Sequence, residues 1–389
     1  MRILLAAFVL FSAASVARLG YAGYLSRSDS PPDLARAARL VRSAEYAQRL
    51  AELDPDHARP ALEQAIAWSP QSSAARIALG LDEERCGNFA AAERDLLDAA
   101  DFDRQYLPAW TLANFYFRCG KRDRFLRWAR RAGELCPGDP QPLLILCDRI
   151  APGNATALVP PRKSFTRAYL DLLIAESRWQ DASRLARELA GDGNSDDARR
   201  LAALTTRLIG ARQFDQAIEV WHSLDPSPGI PVDGVFLHPP SGEGFDWRTP
   251  RAEGVDPRWS SGELTFRLAG RQPDALVLLE QPIPLDRGRY TLGVDYRVEF
   301  QDRSLTRAAL FHPQPSRARQ QAETTGLRWT LDSQESPELA IPGRIEWNFA
   351  VVQSGVRWLR LIYRLDAGAV AAQERFSLRA VRLTPQEAH

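Results

Sequence analysis

The chain reads as a multidomain α-then-β protein, a tetratricopeptide α-solenoid over residues 39–225 followed by an antiparallel, jelly-roll-like β-sandwich over 235–384. Three observations predict this. Two helix-pair repeats lie end to end between Ser73 and Pro137, a proline-rich break follows Asp225, and beyond it the apolar period shortens from that of a helix to two. At 389 residues the chain exceeds one ordinary core of about 150 residues, so a division into parts is expected on length alone.

Taken in order, residues 1–25 open with Met1-Arg2, and Ile3 to Ala17 then carries no charge before Arg18. The run matches the apolar region of a secretory signal, with Ser15-Val16-Ala17 as a small-x-small cleavage site. It also fits an anchor retained through Leu25, with Tyr21 and Tyr24 as an interfacial aromatic pair. Either way the chain is expected to be exported. It is then anchored in the inner membrane facing the periplasm, or secreted or periplasmic if the signal is cleaved. Residues 26–38 form a linker, with Pro31-Pro32, and a first helix.

In the clearest repeat, Leu79-Gly80, Gly87, Ala92, Leu96 and Ala99 recur 33 residues later as Leu112-Ala113, Gly120, Phe125, Ala129 and Ala132. Small residues where two helices cross let their backbones approach, and a turn glycine tolerates positive φ. A degenerate earlier repeat starts near Arg39, with Ala58, Leu62, Ala65 and Pro70 at second-helix positions. Tyr169-Leu170, Ala182, Ala186 and Leu189 fit a fourth unit, and Leu204-Thr205, Ala217, Trp221 and Leu224 a fifth. Between the clear and the weak repeats, Ala151 to Lys163 holds Pro152, Gly153, Pro160 and Pro161, an interruption of the stack.

Pro226, Pro228 and Pro231 remove backbone donors and disfavour α geometry before them, which makes 226–234 the linker. Beyond it, Leu264, Phe266 and Leu268 alternate with polar residues, as do Tyr290 to Phe300, Ile345 to Val351 and Leu359 to Leu365. Further strands are expected at Leu276–Leu279, Arg307–Phe311, Leu327–Leu331 and Phe376–Leu383, with turns at Asp286-Arg287-Gly288 and Asp366-Ala367-Gly368. Residues 385–389 are a tail.

An ordered series runs through this half: Gly244-Phe245-Asp246-Trp247-Arg248, Gly262-Glu263-Leu264-Thr265-Phe266, Glu280-Gln281-Pro282-Ile283-Pro284-Leu285, Gly288-Arg289-Tyr290-Thr291-Leu292, Gly326-Leu327-Arg328-Trp329 and a strand around Trp347. Together with the repeats and the N-terminal run, it resembles bacterial envelope proteins in which a signal anchor and tetratricopeptide repeats precede a sandwich similar to carbohydrate-binding modules. The resemblance implies a place beside exopolysaccharide assembly or export. It supplies no ligand-contact residues, and the calcium site such sandwiches often hold is not legible in the sequence.

Composition excludes some classes. Lys plus Arg is 50 against 49 for Asp plus Glu, a net charge of +1, so no general attraction to nucleic acid follows. Lysine occurs only at 121 and 163; the arginines are spread through every segment and read as compositional bias. Cys86, Cys119, Cys136 and Cys147 lack metal-binding spacing, and neither a metal nor another cofactor is expected. Equivalent positions of stacked repeats stand roughly 8–10 Å apart, which disfavours a Cys86–Cys119 bridge; Cys136–Cys147 and Cys119–Cys147 stay open. No nucleophile elbow, phosphate-binding loop or HExxH motif is present. Asp246, Glu263, Asp274, Glu280 and Asp295 could supply a hydrolytic carboxylate pair, but alternating strands put such residues in solvent far more often.

Two surfaces are expected to bind. Ile77, Leu81, Glu84 and Arg85, then Trp110, Asn114, Phe117 and Arg118, line the open face of the first helices, and aromatic and Arg anchors suit a protein segment. The alternative is that Trp110 and Phe117 pack between repeats. In the sandwich, Trp347 is in phase with the core, whereas Trp358 is out of phase with Leu359 and shares a face with Arg360 and Arg364, a glycan-binding set. The function expected is therefore a non-enzymatic envelope scaffold that binds a protein through its repeats and a polysaccharide through its sandwich. The alternative is a carbohydrate-active enzyme accessory or weak glycoside hydrolase. A purely structural, assembly-only role ranks third.

Overall fold

The structure, a computed structural model, describes residues 2–54, 58–191, 194–225, 229–300, 325–339, 343–365 and 373–386, with side chains from residue 11 onward except those of 300 and 373. The expected strand at 307–311 and turn at 366–368 lie outside the described residues. Helices fill the N-terminal part and antiparallel strands the C-terminal part: this is a tetratricopeptide-type repeat chain with a β-sandwich. It divides into two compact units, Met1–Leu172 and Leu173–His389. The last helix ends at Leu224 and the first strand begins at Val255, yet the second unit begins within the tenth helix, so the last helices belong with the sandwich.

In the first unit, α1 (Arg2–Leu25) is followed by α2 (Pro31–Val41), α3 (Ala44–Leu53) and α4 (Ala58–Trp68). The two clear repeats follow as α5 (Ser73–Arg85) with α6 (Phe89–Phe102), and α7 (Tyr106–Arg118) with α8 (Arg122–Leu135). Ser43 and Ser72 cap α3 and α5 by accepting from the Tyr46 and Ala75 amides. The repeat positions are buried as their spacing requires: Leu112, Ala113, Phe125, Ala129 and Ala132 have no exposed surface. A Cβ on Gly80 would lie 2.8 Å from Leu96 Cγ, the close approach that makes a small residue necessary there. After α9 (Gln141–Ile150), a 3-10 turn at Ala155–Leu158 takes the place of a second helix. Chain leaving that turn presses Pro160 so near α8 that a Cβ on Gly133 would stand 2.6 Å from its Cδ.

Four turns between paired helices share one design. Gly87 donates to the Glu84 carbonyl and Asn88 to that of Glu83; Gly120 and Lys121 donate likewise to Phe117 and Tyr116. The glycines sit at φ of 81° and 66°. The same two bonds recur between α10 (Lys163–Ala175) and α11 (Trp179–Ala190), and between α12 (Ser195–Gly210) and α13 (Phe214–Leu224). There the left-handed residue is Ser177 or Arg212, at φ of 57° and 58°.

In the second unit, two sheets enclose one core. The first has the order β1 (Val255–Ser260), β2 (Glu263–Ala269), β9 (Gln373–Pro385), β4 (Gly288–Phe300), β7 (Gly343–Val351). The second runs β3 (Ala275–Leu285), β8 (Gly355–Arg364), β5 (Leu327–Leu331), β6 (Gln334–Glu335). All pairings are antiparallel. Leu292, Val294, Tyr296 and Val298 point inward, as do Leu359, Leu361 and Tyr363, so the period-two reading placed both faces correctly. In the aromatic centre Phe236 packs tilted against Trp247 at 5.8 Å, and Trp247 meets Trp329 edge-on at 6.2 Å. The sequence did not show β1: it holds Pro257 and turns mostly exposed residues outward, both tolerated because it is an edge strand. Asp286-Arg287-Gly288 joins strands of different sheets, β3 to β4. Residues 235–248, read as the start of the sandwich, are gripped by the last helices: Gly244 N donates to Thr206 Oγ1 at 2.6 Å, and Trp221 meets Phe245 edge-on at 5.9 Å.

Candidate functional site

The eight residues expected to line the repeat surface fall into two groups. Most are engaged within the chain. Ile77 is buried, Glu84 accepts two bonds from Arg118 at 2.7 Å each, and Arg85 pairs with Asp82 at 2.7 Å. The Glu84 bond is the main cause that raises the Arg118 pKa above its ordinary value. Asn114 donates to the Trp110 carbonyl, Phe117 packs on Phe125 at 5.7 Å, and Trp110 stacks on Tyr106 at 6.2 Å. The Glu84–Arg118 pair is a clamp between successive first helices. Leu81, 41% exposed, and the open part of Trp110 remain available to a partner.

A concavity lies elsewhere on the same repeats. A cavity of about 540 Å³ opens where the C-terminal half of α8 faces the connection from α6 to α7. The helical period explains its lining. Phe125, Ala129 and Ala132 turn α8 inward, which leaves Arg127, Arg130, Arg131 and Glu134 on the outward arc, with the half-buried Trp128 between. Asp103 accepts from the Gln105 amide at 3.1 Å, shaping the turn that presents Arg104 from across the cavity. Ala100 and Ala109 are short enough to leave space beneath. Arg131 pairs with Glu134 at 2.9 Å, whereas Arg104, Arg127 and Arg130 have no ion-pair or hydrogen-bond partner among the described residues. Sequence reasoning missed this site because it took the arginines as compositional bias. The available signal was their 3–4-residue spacing opposite the alanine stripe of α8.

On the sandwich, β8 does place Trp358, Arg360 and Arg364 on one outward face. They form a network closed upon itself. The guanidinium groups of Arg248 and Arg360 lie over the Trp358 ring at 5.0 and 5.3 Å, Arg360 reaches Glu280 at 2.9 Å, and Arg364 reaches Glu335 at 3.0 Å. Burial lowers the Arg248 pKa, and Glu280 partly opposes that. A pyranose approaching the indole therefore meets guanidinium groups already in place. The candidate carboxylates are likewise engaged: Glu263 with Arg379 at 3.5 Å, Asp295 with Arg382 at 2.6 Å, and Asp246 as acceptor from Ser241. Among the described residues no group of three or more His, Cys, Asp or Glu is placed to hold a metal ion.

Two buried acids complete the picture. Cys86, Cys119, Cys136 and Cys147 are free thiols, and burial pushes Cys147 up to about 12. Glu374, 1% exposed on β9, has no hydrogen-bond partner for either carboxyl oxygen among the described residues. Burial, reinforced by Glu338, pushes it up to about 8.

No family model matches the chain, and no curated protein matches it. Among solved structures, that of pilF from Pseudomonas aeruginosa is 19% identical, over 56% of this chain and 94% of that one, with a TM-score of 0.23. The repeat fold accordingly rests on the helices, their buried stripe and their shared turns.

Proposed function

We propose that the chain is a non-enzymatic envelope scaffold that holds a protein partner on its helical repeats. The observation that carries this reading is the contrast between an open, cationic cavity in the repeats, with three arginines unpaired among the described residues, and a sandwich surface on which Arg360, Arg364 and Arg382 are answered from within the chain. Arginine and tryptophan are the side chains that most often anchor protein interfaces. Export and membrane attachment by the N-terminal segment belong to the same proposal. Phe11, Val16, Leu19, Tyr21 and Tyr24 on α1 are all more than half exposed, as expected of a helix whose apolar surface is meant for another medium. Among the described residues no helix is long and apolar enough to cross a membrane; the uncharged run read as signal or anchor overlaps residues 1–10, whose side chains lie outside the described residues. A role beside exopolysaccharide assembly rests on the resemblance alone, and glycan contact at Trp358, Arg360 and Arg364 would require rearranging their network.

Site-specific photocrosslinking in native cells tests the reading. A crosslinker at Leu81 or Trp128 is expected to capture a discrete protein, and one at Val352, an exposed sandwich position, is not. Capture only from Val352, or only of polysaccharide, would overturn it.

A further inference from the structure

Resting on that scaffold reading, we infer that the cavity between α8 and the α6–α7 connection takes an acidic peptide segment of the partner, with carboxylates flanking an aliphatic side chain. The argument is one of charge and shape. Arg127 and Arg130 come from one helix and Arg104 from the facing connection, so positive charge lies on both sides of the opening. Like charges three residues apart on a helix repel each other, and Glu134, four residues on from Arg130, is paired with Arg131, so neither Arg127 nor Arg130 has an ion-pair partner among the described residues. A carboxylate brought to the opening relieves that repulsion and can accept two guanidinium N–H bonds. The floor is different. Ala100, Ala109 and Leu135 offer no polar side-chain atom, so a sugar seated there would leave hydroxyl groups unpaired, whereas a Leu or Ile side chain would lose nothing. A volume of about 540 Å³ admits a few side chains of an extended segment. With a chain net charge of +1, the attraction is local to this cavity, which favours a short acidic segment over a long polyanion.

The test uses the full chain and a fluorescein-labelled peptide, Glu-Glu-Leu-Glu-Glu, titrated by fluorescence anisotropy. Wild type is expected to bind it, and binding should weaken as salt rises. Arg127→Glu with Arg130→Glu should weaken binding by about 30-fold or more. Arg122→Glu, a single charge reversal on the same helix outside the cavity, should stay within about 3-fold, and the Gln-Gln-Leu-Gln-Gln peptide should not bind. If the double variant fails to fold by circular dichroism, Arg104→Gln on the connection supplies the comparison. Equal losses in the Arg122 and Arg127/Arg130 variants would overturn the inference. So would tighter binding of polygalacturonate that the same cavity variants abolish. If the peptide does not bind while crosslinks from Leu81 or Trp128 to a protein persist, the acidic-segment inference falls and the scaffold reading stands. If those crosslinks are absent as well, both fall.

Discussion

On the sandwich, Arg360 and Arg382 meet Glu280 and Asp295, whereas around the repeat cavity Arg104, Arg127 and Arg130 face open space. The difference follows from the two backbones. Antiparallel strands bring residues distant in sequence directly opposite each other, about 5 Å apart, so an outward charge readily finds an opposite one across the ladder: Glu280 faces Arg360 in register. A helix offers only neighbours three or four positions away; on α8 those of Arg127 include Arg124, Arg130 and Arg131, and Glu134 is taken by Arg131. A sheet can therefore neutralise its own surface, while an arginine-rich helix keeps its charge for something else.

The comparison can be broken most directly through the cores. Trp329→Ala is expected to cost about 3–5 kcal/mol and to unfold the sandwich first in a thermal melt followed by near-ultraviolet circular dichroism. Arg127→Ala should change stability by under about 0.5 kcal/mol. A large destabilisation by Arg127→Ala would mean that the cavity is structural. Next comes pH. The folded-state pKa of Glu374 is raised to about 8 from an ordinary 4.5, so the protonated form is the one the fold favours. Its contribution is complete below pH 4.5 and is lost as pH rises through 8, a span worth up to about 5 kcal/mol. Melting of the sandwich should fall between pH 5 and 8, and Glu374→Gln should flatten that slope; an unchanged slope would remove Glu374 as its source.

Gly133→Ala sharpens the packing side within the repeats. Its new methyl would sit 2.6 Å from Pro160 Cδ, and a loss of about 1–3 kcal/mol in urea denaturation is expected despite alanine's better helix propensity. Stabilisation instead would show that the chain after the 3-10 turn yields. A smaller effect belongs to the clamp between first helices. Arg118→Ala, removing a partly exposed pair with Glu84, should cost about 0.5–1 kcal/mol by the same assay. An effect near zero would return Glu84 and Arg118 to the pool of groups available to a partner.

Much of the architecture was legible before the structure. Leu79-Gly80 and Leu112-Ala113 announced crossing helices because close approach demands small residues, and Tyr290 to Val298 announced a half-buried strand because alternation has no other cheap explanation. The fourth and fifth repeats were faint for an identifiable reason. Their turns keep both hydrogen bonds and the left-handed residue, but Ser177 and Arg212 stand where glycine would have signalled it, tolerating about 1 kcal/mol of strain. β1 was hidden by an edge strand's freedom to carry Pro257 and exposed side chains. Of the expected surface, Leu81 stays open, whereas Glu84, Arg118 and Phe117 found partners whose distance in sequence no local pattern reveals.

The amino-acid sequence by itself determined what depends on neighbours along the chain: helix pairs, turns, inward and outward faces of strands, and the break after Asp225. Only the tertiary structure decided which charges are answered. It paired Arg360 with Glu280 and Arg118 with Glu84, buried Glu374 without a partner among the described residues, and left Arg104 opposite Arg127 and Arg130 across an open cavity. Periodicity is a property of the backbone that each residue shares with its neighbours. Pairing depends on distances between residues far apart in sequence, and those exist only once the chain has folded.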